Sequence, residues 1–555
     1  MTDPLRAIRV ADPVHGYVLL TSIERTLIDT RPAQRLRYVA QSGLAHLVFP
    51  EVRTSRFSHS LGTMHLASRF LAASLTGAEP EARDAAQQAI QHAVGTAIGN
   101  IGSAELAAGQ LLQDGLLAAD AADDHFRPYV LLAEQGLRLA ALFHDLGHLP
   151  FSHDFEYAVG QLTRDPETEA RDRARPLLEQ RPGLDALHER IGHDLTFLLF
   201  NAVFADAPGE AARVSFAIAR YILESSEAQT AARIRDTGGL ETRAEGAFAW
   251  LHTLIAGELD VDRCDYVLRD ARNYGFEFAI YDLERLIDNL TVVMDPDAEN
   301  ALLPAIRPQG QPAVETFLIA RARMYQWGVR HHKVAQVGAA LRYTIAELLR
   351  PALASAGQGH EHPLGQFLVD METVLTAGHG GRPDPELLNR FATYDDGWWM
   401  SFMRERAAEH PDDEWAQLVC WRARGPRSLW KRAMQFPVDL RDFNGRLPKR
   451  TDIQARAAFD DAVRGLRDDG VLIVLHSFAP WKASSATEGT ETPQSALSFF
   501  DPEHGLTPVS VASYPIASLR EAWMHDVQVH AFARSDVQLT PADVIERLEQ
   551  ATPEA

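Results

Sequence analysis

His144, Asp145, His148 and His153 fall within ten residues of one another, in the stretch LRLAALFHDLGHLPFSHDFE that begins at residue 137. Imidazoles and carboxylates at that density can hold a divalent cation or move a proton near neutral pH. Neighbours on a helix point about 100° apart, so His144 and Asp145 can grip one ion only off the end of a turn. His148 lies four residues beyond His144, on the same helical face. Gly147 and Pro150 mark a helix end, where side chains can converge on a cleft. For a lone His-Asp pair the plainer reading is a hydrogen-bonded core histidine, or a cation favoured at a helix C-terminus. Here the histidines border the apolar run Leu139, Ala140, Leu142 and Phe143, and burying them without partners would be costly.

An ion would need further ligands from elsewhere. SRFSHSLGT puts His59 near the start of a helix, behind Arg56, and GELDVDRCDYVLRD supplies Asp260, Asp262, Asp265 and Asp270. Asp262, Tyr266 and Asp270 recur at i, i+4 and i+8 and share one helical face. Their neighbours Leu254, Ile255, Val261 and Val267 point to a packed helix rather than a solvated one.

The elements that must position these groups are mostly helical. From TSIERTLIDT to about residue 350, apolar residues recur at three- and four-residue spacing. QRLRYVAQSGLAHLVFP reads as a helix closed by Gly43, and further helices are expected over 131–148, 186–206, 211–225, 247–270 and 311–350. Residues 1–20 read as extended. The segment 77–130, rich in Ala, Gly and acidic residues, reads as an inserted pair of small surface helices. ASAGQGHEHP and AGHGGRPDP are loop-like breaks after residue 350. From about residue 435, GVLIVLHSF, TPVSVASYPI and VQVHAFARS suggest strands, with a polar loop at 481–495. The expected fold is mainly α: a helical core at 1–350, a helical extension at 351–435 and a smaller α+β region at 436–555.

Composition narrows the function. At 555 residues the chain can bury a large core, and its net charge of −22 argues against broad binding to nucleic acid or an anionic membrane. A local basic pocket for a phosphorylated small molecule stays open. With only Cys264 and Cys420, a disulfide framework is not expected, a thiolate zinc site is excluded, and a cytoplasmic setting is expected. No apolar run approaches the roughly 20 residues of a membrane span, and the N-terminus lacks the apolar core of a signal peptide.

The order His59, His144-Asp145, Asp262, together with DPVHGYV, LIDTRPAQRLRYVAQSG, VFP and RFSHSLG, resembles the HD-domain phosphohydrolases. Within them it is most similar to the deoxynucleoside triphosphate triphosphohydrolase branch, which includes bacterial dNTPases and the animal sterile-alpha-motif/HD enzyme. The resemblance covers residues 10–75, 131–160 and 186–340. It implies that His59, His144, Asp145 and Asp262 hold a divalent metal (Mn, Mg, Fe, Zn, Ni or Co), which would lower the pKa of a coordinated water and polarise a phosphoryl oxygen. In that branch the reaction at the α-phosphate releases nucleoside and intact triphosphate. His148, His153 and His188, the last in LHERIGHDL, match the family's catalytic and phosphate-binding histidines. Glu156 could orient one of them. His193 competes with His188 for its place, and the adjacent Glu189 favours His188.

By the same resemblance Gln41 reads the sugar 3′-hydroxyl, Arg56 lies against phosphate or base, Arg263 meets phosphate, and Tyr266 and Asp270 form a sugar and phosphate wall. Taken alone, Arg56 or Arg263 would more often be a surface or structural arginine. Asp29, Gln34 and Arg37 sit where activated, homo-oligomeric members bind a nucleotide effector; helix capping and surface pairing explain them equally well. Two departures stand out. VRHHK carries Arg330 where the family often has a tyrosine of the deoxyribose pocket, which favours a more highly phosphorylated or differently shaped substrate. The insert separates His59 from His144 by 85 residues. The expected activity is hydrolysis of nucleoside triphosphates, foremost dNTPs. A ribonucleotide hydrolase, an oligonucleotide phosphodiesterase and a nucleotide-binding sensor are the rivals. A nuclease calls for a basic track in this acidic chain, and a sensor for a lost ligand.

Overall fold

A computed structural model of the protein describes residues 8–99, 103–111, 116–165, 168–178, 186–204, 209–225, 240–295, 301–355, 362–377, 384–422, 425–430, 453–477, 497–513, 515–518 and 527–551. The expected polar loop at 481–495 lies outside the described residues, as do 356–361 and 378–383 within the expected breaks.

The N-terminal extended segment is an antiparallel hairpin of β1 (Ile8–Asp12) and β2 (Gly16–Leu20). Asp12 Oδ1 accepts the backbone N–H groups of Val14 at 2.8 Å and His15 at 2.9 Å and so closes the turn. Helix α1 (Ser22–Ile28) starts on a capping box formed by Thr21 and Glu24. The stretch read as one helix ending at Gly43 is not continuous. It is a short helix α2 (Arg31–Arg35), a 3-10 turn Leu36–Tyr38, an extended passage, and a second 3-10 turn Ala45–Leu47. The β-branched Val39 is extended, Ala40 pairs with Ser55, and Gly43 turns the chain at a φ of 50°. Local propensity yielded there to pairing with a distant segment, and the result carries Gln41 and Ser42 into the site.

Helices α3 (Arg56–Gly77), α4 (Pro80–Ile98), α5 (Ala104–Gly109), α6 (Arg127–Phe143), α7 (His153–Leu162), α8 (Thr168–Leu177), α9 (Leu187–Val203), α10 (Glu210–Glu224), α11 (Leu240–Ala256) and α12 (Val261–Tyr274) build the helical domain. At its centre stands α6, buried at every position from Val130 to Phe143, with α3 and α10 packed against it. A helix enclosed on all sides needs an apolar circumference, and its polar members need partners. Glu134 therefore accepts from Ser68 at 2.6 Å, and Arg138 donates to Glu24 at 2.6 Å.

The insert is a correction. Rather than a surface pair, α4 runs 19 residues and buries Ala82, Ala86, Ile90, Ala93, Val94 and Ala97 against α6, α10 and α11. Alanines at three- and four-residue spacing let the helices approach closely, so a composition that looks weakly apolar still forms core. The expected helix 247–270 is also two helices. Asp260 caps α12 by accepting from Arg263 N at 2.7 Å, and that break aims the first turn of α12 at the site. The 311–350 stretch likewise divides into α13 (Gln311–Met324), a π-helical turn Tyr325–Val329, and α14 (His332–Ser355).

Helices α15 (Pro363–Ala377), α16 (Pro385–Phe391), α17 (Asp396–Glu409) and α18 (Glu414–Trp421) follow. A hairpin unforeseen from periodicity, β3 (Leu290–Met294) and β4 (Leu302–Ile306), joins in parallel a C-terminal strand, Ser498–Asp501, through Ile306 and Phe499. A second sheet sets Val527–Ala533 between Arg427–Ser428 and Val471–Ser477. One hydrophobic core extends from Val18 to Phe532, and a smaller one gathers Trp430, Phe459 and Leu466 with Val471 and Val529. Among the described residues no helix is long and apolar enough to cross a membrane.

Candidate active site

Helix α6 ends at Phe143, and His144 and Asp145 project from the turn beyond it. Gly147 makes that turn possible. A Cβ there would sit 2.1 Å from both Gly192 N and His188 O on α9, so only glycine lets the two backbones touch. His144 Nδ1 donates to Ala141 O at 2.7 Å, which leaves the Nε2 lone pair for another partner. That buried Nε2 makes no hydrogen bond. It stands 3.4 Å from Asp145 Oδ1 and 3.8 Å from Asp262 Oδ1.

His59 lies one turn into α3, whose start is capped by Ser55. Its Nε2 is 2.9 Å from Asp262 Oδ1 and 3.5 Å from Asp145 Oδ2, and its Nδ1 is 2.8 Å from Asp265 Oδ2. The donor atoms of His59, His144 and Asp262 all fall within 4.8 Å of one another. Burial opposes a charge on His59, but Asp262 and Asp265 outweigh it and lift the ring to about 10. Against the same burial penalty, His144 and His59 hold Asp262 far below the usual carboxylate range. Two imidazoles and the Asp262 carboxylate about one point, with Asp145 beside both imidazoles and an orphaned buried nitrogen among them, suit a divalent cation.

Beside this group His148, His153 and His188 form a second cluster, also within 4.8 Å. Asp145 links the two, its Oδ1 lying 3.1 Å from His148 Nε2. Glu156 reaches His153 Nδ1 at 3.0 Å and His188 Nδ1 at 2.7 Å. Glu189, the residue that favoured His188 in the sequence, instead caps Ala186 N at 3.0 Å. His193 is engaged elsewhere, with Asp194 at 3.1 Å and Glu224 at 2.8 Å.

His144, Asp145 and Asp262 of the first group and all three histidines of the second line one cavity of about 1070 Å³, and His59 is buried behind them. Gln41, Arg56, Arg263, Tyr266, Asp270 and Arg330 line it too. Arg56 is tied to Asp145 at 2.6 Å and to Ser152 Oγ at 3.0 Å, so it braces the His-Asp turn. Arg263 pairs with Asp260. Tyr266 OH accepts from Arg321 Nε at 3.0 Å. Burial pushes the Asp270 carboxyl up to about 6, although Thr54 donates to it at 2.8 Å. Arg330 is buried directly after the π-helical turn. Asp29, Gln34 and Arg37 do not line the cavity. Gln34 Nε2 donates to Ile28 O, Arg37 Nε donates to Gln34 Oε1 at 2.7 Å, and the Arg37 guanidinium sits 3.6 Å over the Phe57 ring.

Sequence reading missed Arg321, Tyr325 and Arg342, which add charge and aromatic surface to the wall. It also missed Asp396 on α17, which accepts from Phe151 N at 2.7 Å and Ala40 N at 3.0 Å. Those bonds hold a loop strained at Phe151 and Ser152, with φ of 61° and 57°. Nothing in the local pattern around these residues differs from that of ordinary helices.

A mainly helical fold that gathers one His, an adjacent His-Asp and a distant Asp at its centre resembles the HD-domain arrangement. No family model matches the chain. The uncharacterised protein YwfO of Bacillus subtilis is 25% identical over 326 residues, 59% of this chain and 52% of its own length. Chicken deoxynucleoside triphosphate triphosphohydrolase SAMHD1 is 27% identical over 290 residues, 50% of this chain and 35% of its own. A crystal structure of a phosphohydrolase from Bacteroides thetaiotaomicron superposes with a TM-score of 0.54 at 18% identity, covering 96% of this chain and all of that one. The chain spans about half the length of the first curated relatives it matches. In fold and site it resembles the HD-domain phosphohydrolases.

Proposed function

We propose that the protein is a metal-dependent hydrolase of nucleoside triphosphates that converts a dNTP to deoxynucleoside and triphosphate. The observation that carries this reading is the cavity, wide enough for a nucleotide, in which His144, Asp145 and Asp262, backed by the buried His59, adjoin the His148–His153–His188 cluster. A divalent cation held by the first group would supply Lewis acidity toward a phosphoryl oxygen. Water adds at the α-phosphorus, the bond from phosphorus to the 5′-oxygen breaks, and that oxygen takes up a proton. His188 suits the donor's role: Glu156 raises its pKa against the penalty of burial, so it stays protonated to higher pH. Arg263, Arg321, Arg330 and Arg342 offer positive charge to a triphosphate in an otherwise acidic chain. Tyr266, held by Arg321, would press on the sugar where a 2′-hydroxyl projects. The relatives support this reading through SAMHD1, a deoxynucleoside triphosphate triphosphohydrolase by name.

The test incubates the purified protein with each dNTP and NTP and Mn²⁺, Mg²⁺, Fe²⁺ or Co²⁺, and separates the products. Tripolyphosphate plus deoxynucleoside is expected. Nucleoside mono- or diphosphate products would overturn the reading.

A further inference from the structure

DPVHGYV contains a histidine and an aspartate that the site described above does not use. The hairpin turn carries both to the underside of α3 and α12. There Asp265, wholly buried, has four nitrogens of three residues at hydrogen-bond distance. Oδ2 faces His59 Nδ1 at 2.8 Å and accepts from Arg269 Nε at 2.8 Å. Oδ1 accepts from Arg269 Nη2 at 2.8 Å and faces His15 Nε2 at 2.6 Å. A carboxylate has about four lone-pair directions, so this one is saturated and has a single orientation.

The surroundings of Asp265 are equally constrained. Arg269 Nη1 donates to Asp12 Oδ2 at 2.8 Å, and Asp12 Oδ1 closes the hairpin turn that presents His15. On the α3 side, a Cβ at Gly62 would lie 1.9 Å from Asp265 Oδ1 and 2.6 Å from Arg269 Nη2. The missing side chain makes room for the ion pair one turn below His59.

His59 thus meets a different environment at each nitrogen. Nδ1 faces the fixed Asp265 carboxylate, while Nε2 faces Asp262, Asp145 and the His144 ring. We propose that Asp265, seated by Gly62, Arg269 and His15, is a positioning residue that keeps the proton on His59 Nδ1 and turns the Nε2 lone pair toward the cation. The inference rests on the metal site of the proposed function and extends it to the N-terminal hairpin. A carboxylate can only accept from Nδ1, so a cation that displaces the proton between Nε2 and Asp262 finds the lone pair at Nε2. An asparagine can donate instead, and the proton would then sit on Nε2 and block it.

Co²⁺ binding to the metal-stripped full-length chain, followed by visible absorption, tests this in the wild type, Asp265→Asn, His15→Phe and Asp262→Ala. Asp265→Asn is expected to weaken Co²⁺ binding about 10- to 100-fold and to change the band shape, as loss of an outer partner of a ligating histidine does. His15→Phe, which keeps a ring beside His65 but frees Asp265 Oδ1 of one partner, is expected to lose several-fold, with the thermal midpoint of the metal-free protein little changed. Asp265→Asn binding Co²⁺ as tightly as the wild type, with the same spectrum, overturns the assignment. Should that variant fail to fold, undiminished binding by His15→Phe overturns it instead. A wild type that binds no Co²⁺, like Asp262→Ala, overturns the metal site itself, an outcome distinct from the others.

Discussion

His148 and His188 stack with ring centroids 4.0 Å apart and planes 11° from parallel, yet their surroundings push their pKa values in opposite directions. Burial, Arg56 and His188 itself push His148 well below its ordinary pKa. Burial also opposes charge on His188, but Glu156 overrides it and raises the ring. Two adjacent groups with pKa values pushed apart are the arrangement that acid–base chemistry needs. His188→Gln is therefore expected to lower kcat by about 10²- to 10⁴-fold. The acid form of His188 is lost as pH rises through its raised pKa. Removing the carboxylate with Glu156→Gln should move the falling limb of the kcat–pH profile to lower pH. An unmoved limb would show that another group is the donor.

His144→Ala and Asp145→Ala should both lose bound metal and turnover, read by metal analysis and product release. Only the second should also lose marked stability. It leaves Arg56, buried and bonded to Asp145 at 2.6 Å, as an unpaired charge, at a cost of about 3 kcal/mol. A thermal midpoint equally unchanged in both variants would refute that role for Arg56.

Gly147→Ala adds one methyl group and alters no charge. Its Cβ would meet two backbone atoms of α9 at 2.1 Å, and neither can swing aside as a side chain could. The expected cost is about 2–3 kcal/mol, with displacement of His148 from His188. Denaturant unfolding measures the first effect, and a drop in kcat at saturating substrate reports the second.

Arg330→Tyr tests the departure in VRHHK. Loss of one charge-assisted contact to the triphosphate, about 1.5 kcal/mol, should raise KM roughly tenfold. Discrimination between dNTP and NTP should sharpen at the same time. An unchanged KM would place Arg330 outside the substrate's reach.

His65 makes the fold acid-sensitive. Burial, then His15, Arg138 and Arg69, lower its pKa to about 4. Between about 6.5 and about 4 the unfolded chain binds a proton there that the folded chain refuses. Stability should fall as pH drops through that window, by at most about 3 kcal/mol from this group. His65→Gln should flatten the dependence of the thermal midpoint on pH over that range.

Much of the site was legible because its chemistry is unusual in residue type. His144, Asp145, His59 and Asp262 stand out as candidate ligands in apolar helices, and the i, i+4, i+8 face of Asp262, Tyr266 and Asp270 does line the cavity. Helix boundaries were less legible. The stretch 34–50 has helical spacing, but pairing of Ala40 with Ser55 overrides it. The insert was misread because small residues carry little hydrophobic signal, although they pack most closely. Asp265 was visible as one of four aspartates, with nothing local to separate it from the others. Its partners His59 and His15 lie 206 and 250 residues away.

The amino-acid sequence by itself determined the kind of chemistry available: imidazole and carboxylate without thiolate, on helices whose apolar spacing marks them for burial. Periodicity also determined which face of the Asp262 helix points inward. Only the tertiary structure decided which histidine leans on which carboxylate, and so which nitrogen is left for an ion. That choice follows from close backbone approach at Gly147 and Gly62 and from competition among buried charges, and both depend on residues far apart in the chain. LFHDLGHLPFSH names the groups, while the crossing of α3, α6, α9 and α12 sets their protons.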